Sequence, residues 1–393
     1  MKVALVHDWL TGMRGGERCL EVFCEIFPAA DIFTLLHVKG AVSSTIEKHH
    51  IQTSFIQHLP LSSQWYRNYL PLFPLAIKSF DLEGYDLVIS SSHCVAKGIH
   101  VPSGTCHVAY IFTPMRYIWD QFDVYFSTGG VTSFLRRNAM RVIRPWLQEW
   151  DRSSNNQVDS FLTISEHVAG RIRSYWDQES RVVHPPVNWQ AYATSYENEG
   201  FYLMVTSLVP YKRVDLAIRA ANTLGIPLKI IGQGPEMKRL VAIAGSSVEL
   251  LGWQSDLVVS EHLARCKALI FPGEEDFGIV PLEAMSCGKP VIAFGKGGVL
   301  ETVVPLNPQK ETIREQGATG KGINSETPTG AFFYEPNTAS LIEALHLFER
   351  QQDSFDPALI RQHVAPFDRV HFKQQIQEIF TQCVHEFRFA SQC

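Results

Sequence analysis

Short apolar runs rich in β-branched residues alternate with helical patterns along almost the whole chain, and this alternation limits the fold more than any other feature. The runs KVALVHD (2–8), DIFTLL (31–36), DLVISSS (86–92), HVAYIF (107–112) and DSFLTIS (159–165) are each bounded by turn residues. Their texture is that of buried parallel strands covered on both faces. Residues 185–200, Pro185-Pro186 and then the polar VNWQAYATSYENEG, interrupt the pattern and read as a linker. A second series follows: FYLMVT (201–206), LKIIG (228–232), VELLG (248–252), KALIFP (267–272), PVIAF (290–294) and GAFFY (330–334). The expectation is an α/β protein of two Rossmann-like, doubly wound parallel-sheet domains facing a cleft.

Segment 369–388 places Phe372, Ile376, Ile379, Phe380, Cys383, Val384 and Phe387 on one helical stripe. The expected boundaries are therefore 1–187, completed by a C-terminal helix, 366–393, that packs back across the cleft, and 188–365. Residues 305–330, rich in Pro, Gly, Thr and charge, read as a surface insertion. With 45% hydrophobic and 19% charged residues, the 393-residue chain can fill two cores and is neither disordered nor a coiled coil. Its net charge of −5 argues against a nucleic-acid partner. No run approaches the roughly 18 apolar residues of a membrane-spanning helix. The N-terminus is too polar for an export signal, and the eight cysteines form no CxxC pair. They read as free thiols, and the expected location is the cytoplasm.

In doubly wound sheets, ligands sit beyond the carboxyl ends of the strands, and the unusual residues of this sequence fall there. EEDFGIVPLEAMSCGKPVIA (274–293) follows the strand ending at Phe271 and separates Glu275 from Glu283 by seven residues. Phe277-Gly278-Ile279-Val280 opens a helix whose free amides and dipole favour an anion. Glu283 could accept two hydroxyls, as from a ribose, and Glu275 could hold a sugar. TSLVPYKRVDLAI (206–218) brings Lys212 and Arg213 to a helix start, where fixed positive charge would meet a diphosphate. Gly232-x-Gly234 is half of a dinucleotide fingerprint, with Met237 where the third glycine would stand. Near the N-terminus, TGMRGGE (11–17) carries Gly15 and Gly16, which let the main chain approach a phosphate or an acceptor. No Asp-x-Asp motif is present to hold a divalent metal.

The E-x7-E element in its FG and PLEAM surroundings resembles that of retaining glycosyltransferases of family 4, which have the GT-B fold, and the resemblance runs in order along nearly the whole chain. It implies a metal-independent hexosyltransferase without cofactor, moving sugar from a nucleotide-sugar donor to a saccharide or lipid-linked saccharide acceptor in polysaccharide or glycolipid assembly. Lys212 takes the position of the family's phosphate-contacting base, so Glu275, Lys212 and Arg213 are the implied catalytic group. Gly15, Gly16, Gly232, Gly234, Trp253, Phe277, Gly278, Ile279, Val280 and Glu283 are the implied donor-binding set, Trp253 being open equally to interdomain packing. Two positions depart from the family: Ser207 stands where an arginine is usual, and Phe112 where a histidine precedes Thr-Pro. His93, His107 and Arg116 are the acceptor-side candidates. The details of PYKRVDLA and TPMRYIWD are most similar to bacterial mannosyltransferase-type members, which makes GDP-mannose the first donor. An NAD-linked oxidoreductase and a catalytically inactive nucleotide-sugar-binding relative are the alternatives.

Segment 134–152, FLRRNAMRVIRPWLQEWDR, joins arginines to tryptophans. Helical spacing puts Leu135, Val142, Trp146 and Trp150 on one side and Arg137, Arg141 and Arg144 on the other, with Pro145 expected to end or kink the first helix. Basic and aromatic residues together suit an anionic membrane, with Arg136, Arg137, Arg141 and Arg144 as the contact at the inner membrane face. Solvated arginines over core tryptophans are the alternative.

Overall fold

The structure is a computed structural model that describes residues 1–123, 131–306 and 327–390, the side chains of 131–136 excepted. Most of the expected insertion, 307–326, thus lies outside the described residues, as do 391–393. The chain divides into two units, Met1–Pro186 with Arg369–Cys393, and Val187–Asp368.

The N-terminal unit is built on seven parallel strands: β1 (Val3–His7), β2 (Asp31–Thr34), β3 (His50–Thr53), β4 (Leu87–Ser92), β5 (Cys106–Ile111), β6 (Ser160–Thr163) and β7 (Arg181–Val182). Their order is β3-β2-β1-β4-β5-β6-β7. β1, β4 and β5 are buried along their whole length, as continuous apolar runs require. The sequence pattern misses β3 and β7. β3 is the mostly half-buried HIQT, and β7 has two residues, so neither carries an apolar run.

Helix Arg369–Ala390 belongs to this unit. Its expected stripe buries Phe372, Ile376, Ile379, Phe380 and Val384. Phe380 meets Phe23 edge-on at 5.5 Å, and Phe372 meets Tyr110 at 6.0 Å. Each buried aromatic contributes about 1.5–3 kcal/mol. Arg369 and Lys373 then pair with Glu25 on helix Gly15–Ile26.

The C-terminal unit has six parallel strands: β8 (Tyr202–Val205), β9 (Leu228–Ile231), β10 (Val248–Gly252), β11 (Ala268–Phe271), β12 (Val291–Phe294) and β13 (Gly330–Phe333). They run in the order β10-β9-β8-β11-β12-β13. Helices Val214–Leu224 and Thr338–Arg350 pack Leu216, Ile218, Leu341 and Leu345 into a common core with Tyr202, Ile230 and Ile270. In each sheet the strand order reverses once, between β1 and β4 and between β8 and β11. Those two switch points are where such sheets open to ligands.

Helix Val131–Ser153 corrects the reading of its segment. It continues through Pro145, although an interior proline costs ~3 kcal/mol. Burial of Leu147 and Trp150 in the following turn offsets that cost. The buried face is Met140, Leu147 and Trp150, whereas Val142 and Trp146 point outward. The expected grouping of Val142 and Trp146 with Trp150 therefore fails.

Candidate functional site

At the switch point of the C-terminal unit, the chain leaving β8 forms a turn, Pro210–Lys212. The chain leaving β11 forms the loop carrying Glu274, Glu275 and Asp276. The Lys212 ammonium donates to Glu275 Oε1, and both side chains are mostly buried. The acidic loop is tied down from behind: Gly298 N donates to the Glu275 carbonyl at 2.9 Å, and Lys296 pairs with Glu274 at 3.1 Å. Gly278, in the left-handed region, is the N-cap of helix Ile279–Ser286 and has no side chain to occupy the helix start. The amides of Ile279 and Val280 are therefore available to an anion, as such helix starts provide. Glu283 lies buried in the second turn, and Phe277 packs inward against Phe367 at 6.0 Å.

Other expected donor-side residues are placed differently. Arg213 is the N-cap of helix Val214–Leu224, and its guanidinium turns to Asp215 at 3.5 Å and to the Pro336 carbonyl at 3.2 Å. Gly232 and Gly234 serve first to let their loop press on the chain leaving β8. A Cβ at Gly232 would stand 1.7 Å from the Thr206 carbonyl oxygen, and one at Gly234 would stand 2.4 Å from that of Leu208. Trp253 follows β10 with its indole largely exposed.

The N-terminal switch point gathers residues the motifs did not single out. Asp8, directly after β1, is fully buried. Its carboxylate accepts from four successive amides, those of His93, Cys94, Val95 and Ala96, at 2.7–3.0 Å. It also meets His93 Nδ1 at 3.1 Å. A carboxylate only accepts, so Nδ1 carries the proton, and in the neutral ring Nε2 is left as an acceptor. The imidazole stands edge-on to Trp9 at 4.5 Å. Packing around the ring lowers its pKa from the ordinary histidine value and outweighs the raising pull of Asp8.

Beside it, His7 Nδ1 shares a hydrogen bond with Ser91 Oγ at 2.7 Å, and Nε2 faces Glu17 Oε1 at 3.9 Å. Burial pushes the Glu17 carboxyl up, but His7, helped by a backbone hydrogen bond and by His93, leaves it below the usual carboxylate range. Gly16 lies against this group: a Cβ there would stand 3.2 Å from the Phe112 ring and 3.4 Å from His7. Gly15 begins the helix Gly15–Ile26. His7, Asp8, Glu17 and Ser91 are thus the residues that sequence reasoning missed. For His7, Asp8 and Ser91 the signal lies in the polar ends of two apolar strands, LVHD and SSSH, whereas Glu17 sits in the helix Gly15–Ile26.

His107 does not join this group, contrary to expectation. It is sealed inside the sheet, with Nε2 on Ser90 Oγ at 2.8 Å and Nδ1 on the Gln157 carbonyl at 2.7 Å. Burial pushes its pKa down to about 4. Arg116 is likewise buried. Of the arginines on the long helix, Arg137 pairs with Asp123 at 2.6 Å. Arg144 donates to the carbonyls of Ile118 and Trp119 at 2.6 and 2.9 Å. Arg141 is exposed, and the side chain of Arg136 lies outside the described residues. Among the described residues, no group of three His, Cys, Asp or Glu could hold a metal ion, and no helix is long and apolar enough to cross a membrane.

Two parallel Rossmann-like sheets, each with its open switch point, define a protein of GT-B fold. The chain is similar over 97% of its length to HepE of Anabaena, solved in complex with UDP, at a TM-score of 0.66 and 17% identity, covering 100% of that chain. It is similar to sucrose-phosphate synthase of Thermosynechococcus elongatus at a TM-score of 0.68 and 15% identity, covering 97% of this chain and 99% of that one. Residues 188–356, nearly all of the C-terminal unit, match the family model described as glycosyl transferases group 1. An uncharacterized glycosyltransferase of Methanocaldococcus jannaschii is 32% identical over 154 residues, 37% of this chain and 43% of that protein. The alpha-1,3/1,6-mannosyltransferase of Kluyveromyces lactis is 42% identical over 81 residues, 21% of this chain and 14% of that protein. The chain spans less than half the length of these two relatives.

Proposed function

We propose that this protein is a retaining glycosyltransferase that moves a hexose from a nucleotide sugar to a saccharide or lipid-linked saccharide acceptor. The observation that carries the reading is the Lys212–Glu275 pair beside the start of helix Ile279–Ser286, within residues 188–356. A diphosphate entering there meets Lys212 and the free amides of the helix start, and Glu275 is freed to take sugar hydroxyls. Charge building on the departing phosphate is stabilised by about 1.5–3 kcal/mol from the ammonium and about 0.3–2 kcal/mol from the helix start. Together these make a useful share of the ~8 kcal/mol at the low end of enzymatic barrier lowering. The carboxylates hold the donor rather than flank a glycosidic bond, which favours transfer over hydrolysis. No step in this scheme calls for a metal or cofactor.

On the acceptor side, His93 stands near Phe112, its ring oriented by Asp8 and its Nε2 available to an acceptor hydroxyl. The local identity to the mannosyltransferase of Kluyveromyces lactis supports a mannosyl donor, and GDP-mannose is the first candidate to test. The oxidoreductase alternative is disfavoured by Met237 in the glycine motif and by the E-x7-E element, which it would not need. Thermal-shift measurements across GDP-, UDP- and ADP-sugars, followed by product analysis with the stabilising donor, test the proposal. Stabilisation by a nucleotide sugar with transfer to a saccharide is expected. Binding without release of nucleotide would favour an inactive relative, and stabilisation by NAD alone would overturn the reading.

A further inference from the structure

Between Phe55 and Lys78 the N-terminal unit carries a run of short turns, Phe55–His58, Ser62–Trp65, Tyr66–Leu72 and Phe73–Ile77. The run has two sides. Ile56, Tyr66, Leu70, Phe73, Ala76 and Ile77 enter the same core as Leu147 and Trp150. Phe55, Leu61, Trp65, Leu72 and Leu75 point outward, with Leu61, Trp65 and Leu75 more than half exposed at 54%, 56% and 66%. The core is filled without them, so their apolar character does nothing for the fold. A concentration of this kind marks an interaction surface.

The charge around these side chains identifies the occupant. From Lys48 to Phe80 the chain has no Asp or Glu, although the protein carries a net charge of −5. Lys48, Arg67 and Lys78 are exposed in this stretch, and none has a carboxylate partner among the described residues. Arg67 instead lies over the Tyr66 ring at 4.9 Å. Separate apolar tips, a tryptophan and unpaired cations, with no acid among them, match the boundary between acyl chains and anionic headgroups. We propose that segment Phe55–Lys78 docks the N-terminal unit onto an anionic lipid surface. Leu61, Trp65 and Leu75 enter the headgroup boundary, and Arg67 and Lys78 meet the lipid phosphates. This surface is distinct from the arginines of helix Val131–Ser153, and it does not depend on which sugar the protein transfers.

Flotation of the full chain with vesicles of phosphatidylcholine, with and without phosphatidylglycerol, tests the assignment. The unaltered protein is expected to float with the phosphatidylglycerol vesicles and to bind less as salt rises. The combined variant Leu61→Ser, Trp65→Ser, Leu75→Ser should lower partitioning about tenfold or more while melting as before. Arg67→Glu with Lys78→Glu should abolish the preference for anionic vesicles, and Trp146→Ser should float unchanged. The proposal is overturned if the unaltered protein stays unbound at low salt, or if the triple variant floats undiminished. It is also overturned if light scattering without lipid shows that the triple substitution dissociates a dimer, since the surface would then face a second copy.

Discussion

The two switch points solve the same problem with opposite materials. In the N-terminal unit the central group is a fully buried carboxylate, Asp8, whose five hydrogen-bonding contacts reach His93 and the three residues after it. In the C-terminal unit the central group is an ion pair, Lys212–Glu275, at the rim of its sheet, with both side chains retaining some solvent contact. A group that satisfies buried amides cannot be removed without orphaning them. A rim pair can exchange its partner for a ligand. One site is therefore part of what folds the unit, and the other is kept apart from folding.

Asp8→Ala should test this contrast most severely. Four buried amides lose their acceptor, and a cost of about 4 kcal/mol to the N-terminal unit is expected. Hydrogen exchange at residues 93–96 would report it, and exchange no faster than in the unaltered protein would break the comparison. His107 probes the same unit through pH. Its folded value of about 4 lies below the ordinary 6.5, so its neutral form stabilises the fold fully above pH 6.5. As pH falls from 6.5 to 4, up to about 3 kcal/mol is lost, because the unfolded chain takes the proton first. Denaturant titrations across that range should show a shallower slope for His107→Gln.

On the other side of the comparison, Lys212→Met keeps the aliphatic stem and removes the charge. Turnover should fall about a hundredfold, with a smaller loss of stability than Asp8→Ala causes. A large loss of stability would place this pair in the folding machinery after all. The smallest effect expected is that of His93→Gln, about tenfold in kcat/KM. His93 must be neutral to accept a proton, and Asp8, His7, Glu17 and Arg67 set its charge environment. Its pKa is lowered, so the acidic limb of the pH profile should fall below the ordinary histidine value, and the glutamine variant should lack that limb.

The contrast also explains what the sequence made legible. Glu275, Gly278 and Glu283 lie within nine consecutive residues, so their site can be read from one contiguous motif, and the parallel sheets follow from uniform apolar runs. Asp8, His93 and Glu17 are brought together by the pairing of β1 with β4, where His7 stands opposite Ser91. No local pattern encodes that juxtaposition. His107 lies in a strand of apolar texture, and only the partners Ser90 and Gln157 reveal its buried polar role. The helix runs on past Pro145 because local propensity yields to the packing of the turn that follows it.

Helix Arg369–Ala390 packs in the unit whose sheet begins at Val3, so of the two units the one that starts earlier in the chain is the later to acquire all of its parts. Until synthesis reaches residue 390, Phe23 and Tyr110 lack the cover of Phe372 and Phe380. The intervening unit, continuous from Val187 to Asp368, has all of its strands in hand before then. During translation, the order of maturation should therefore run opposite to the order of the letters.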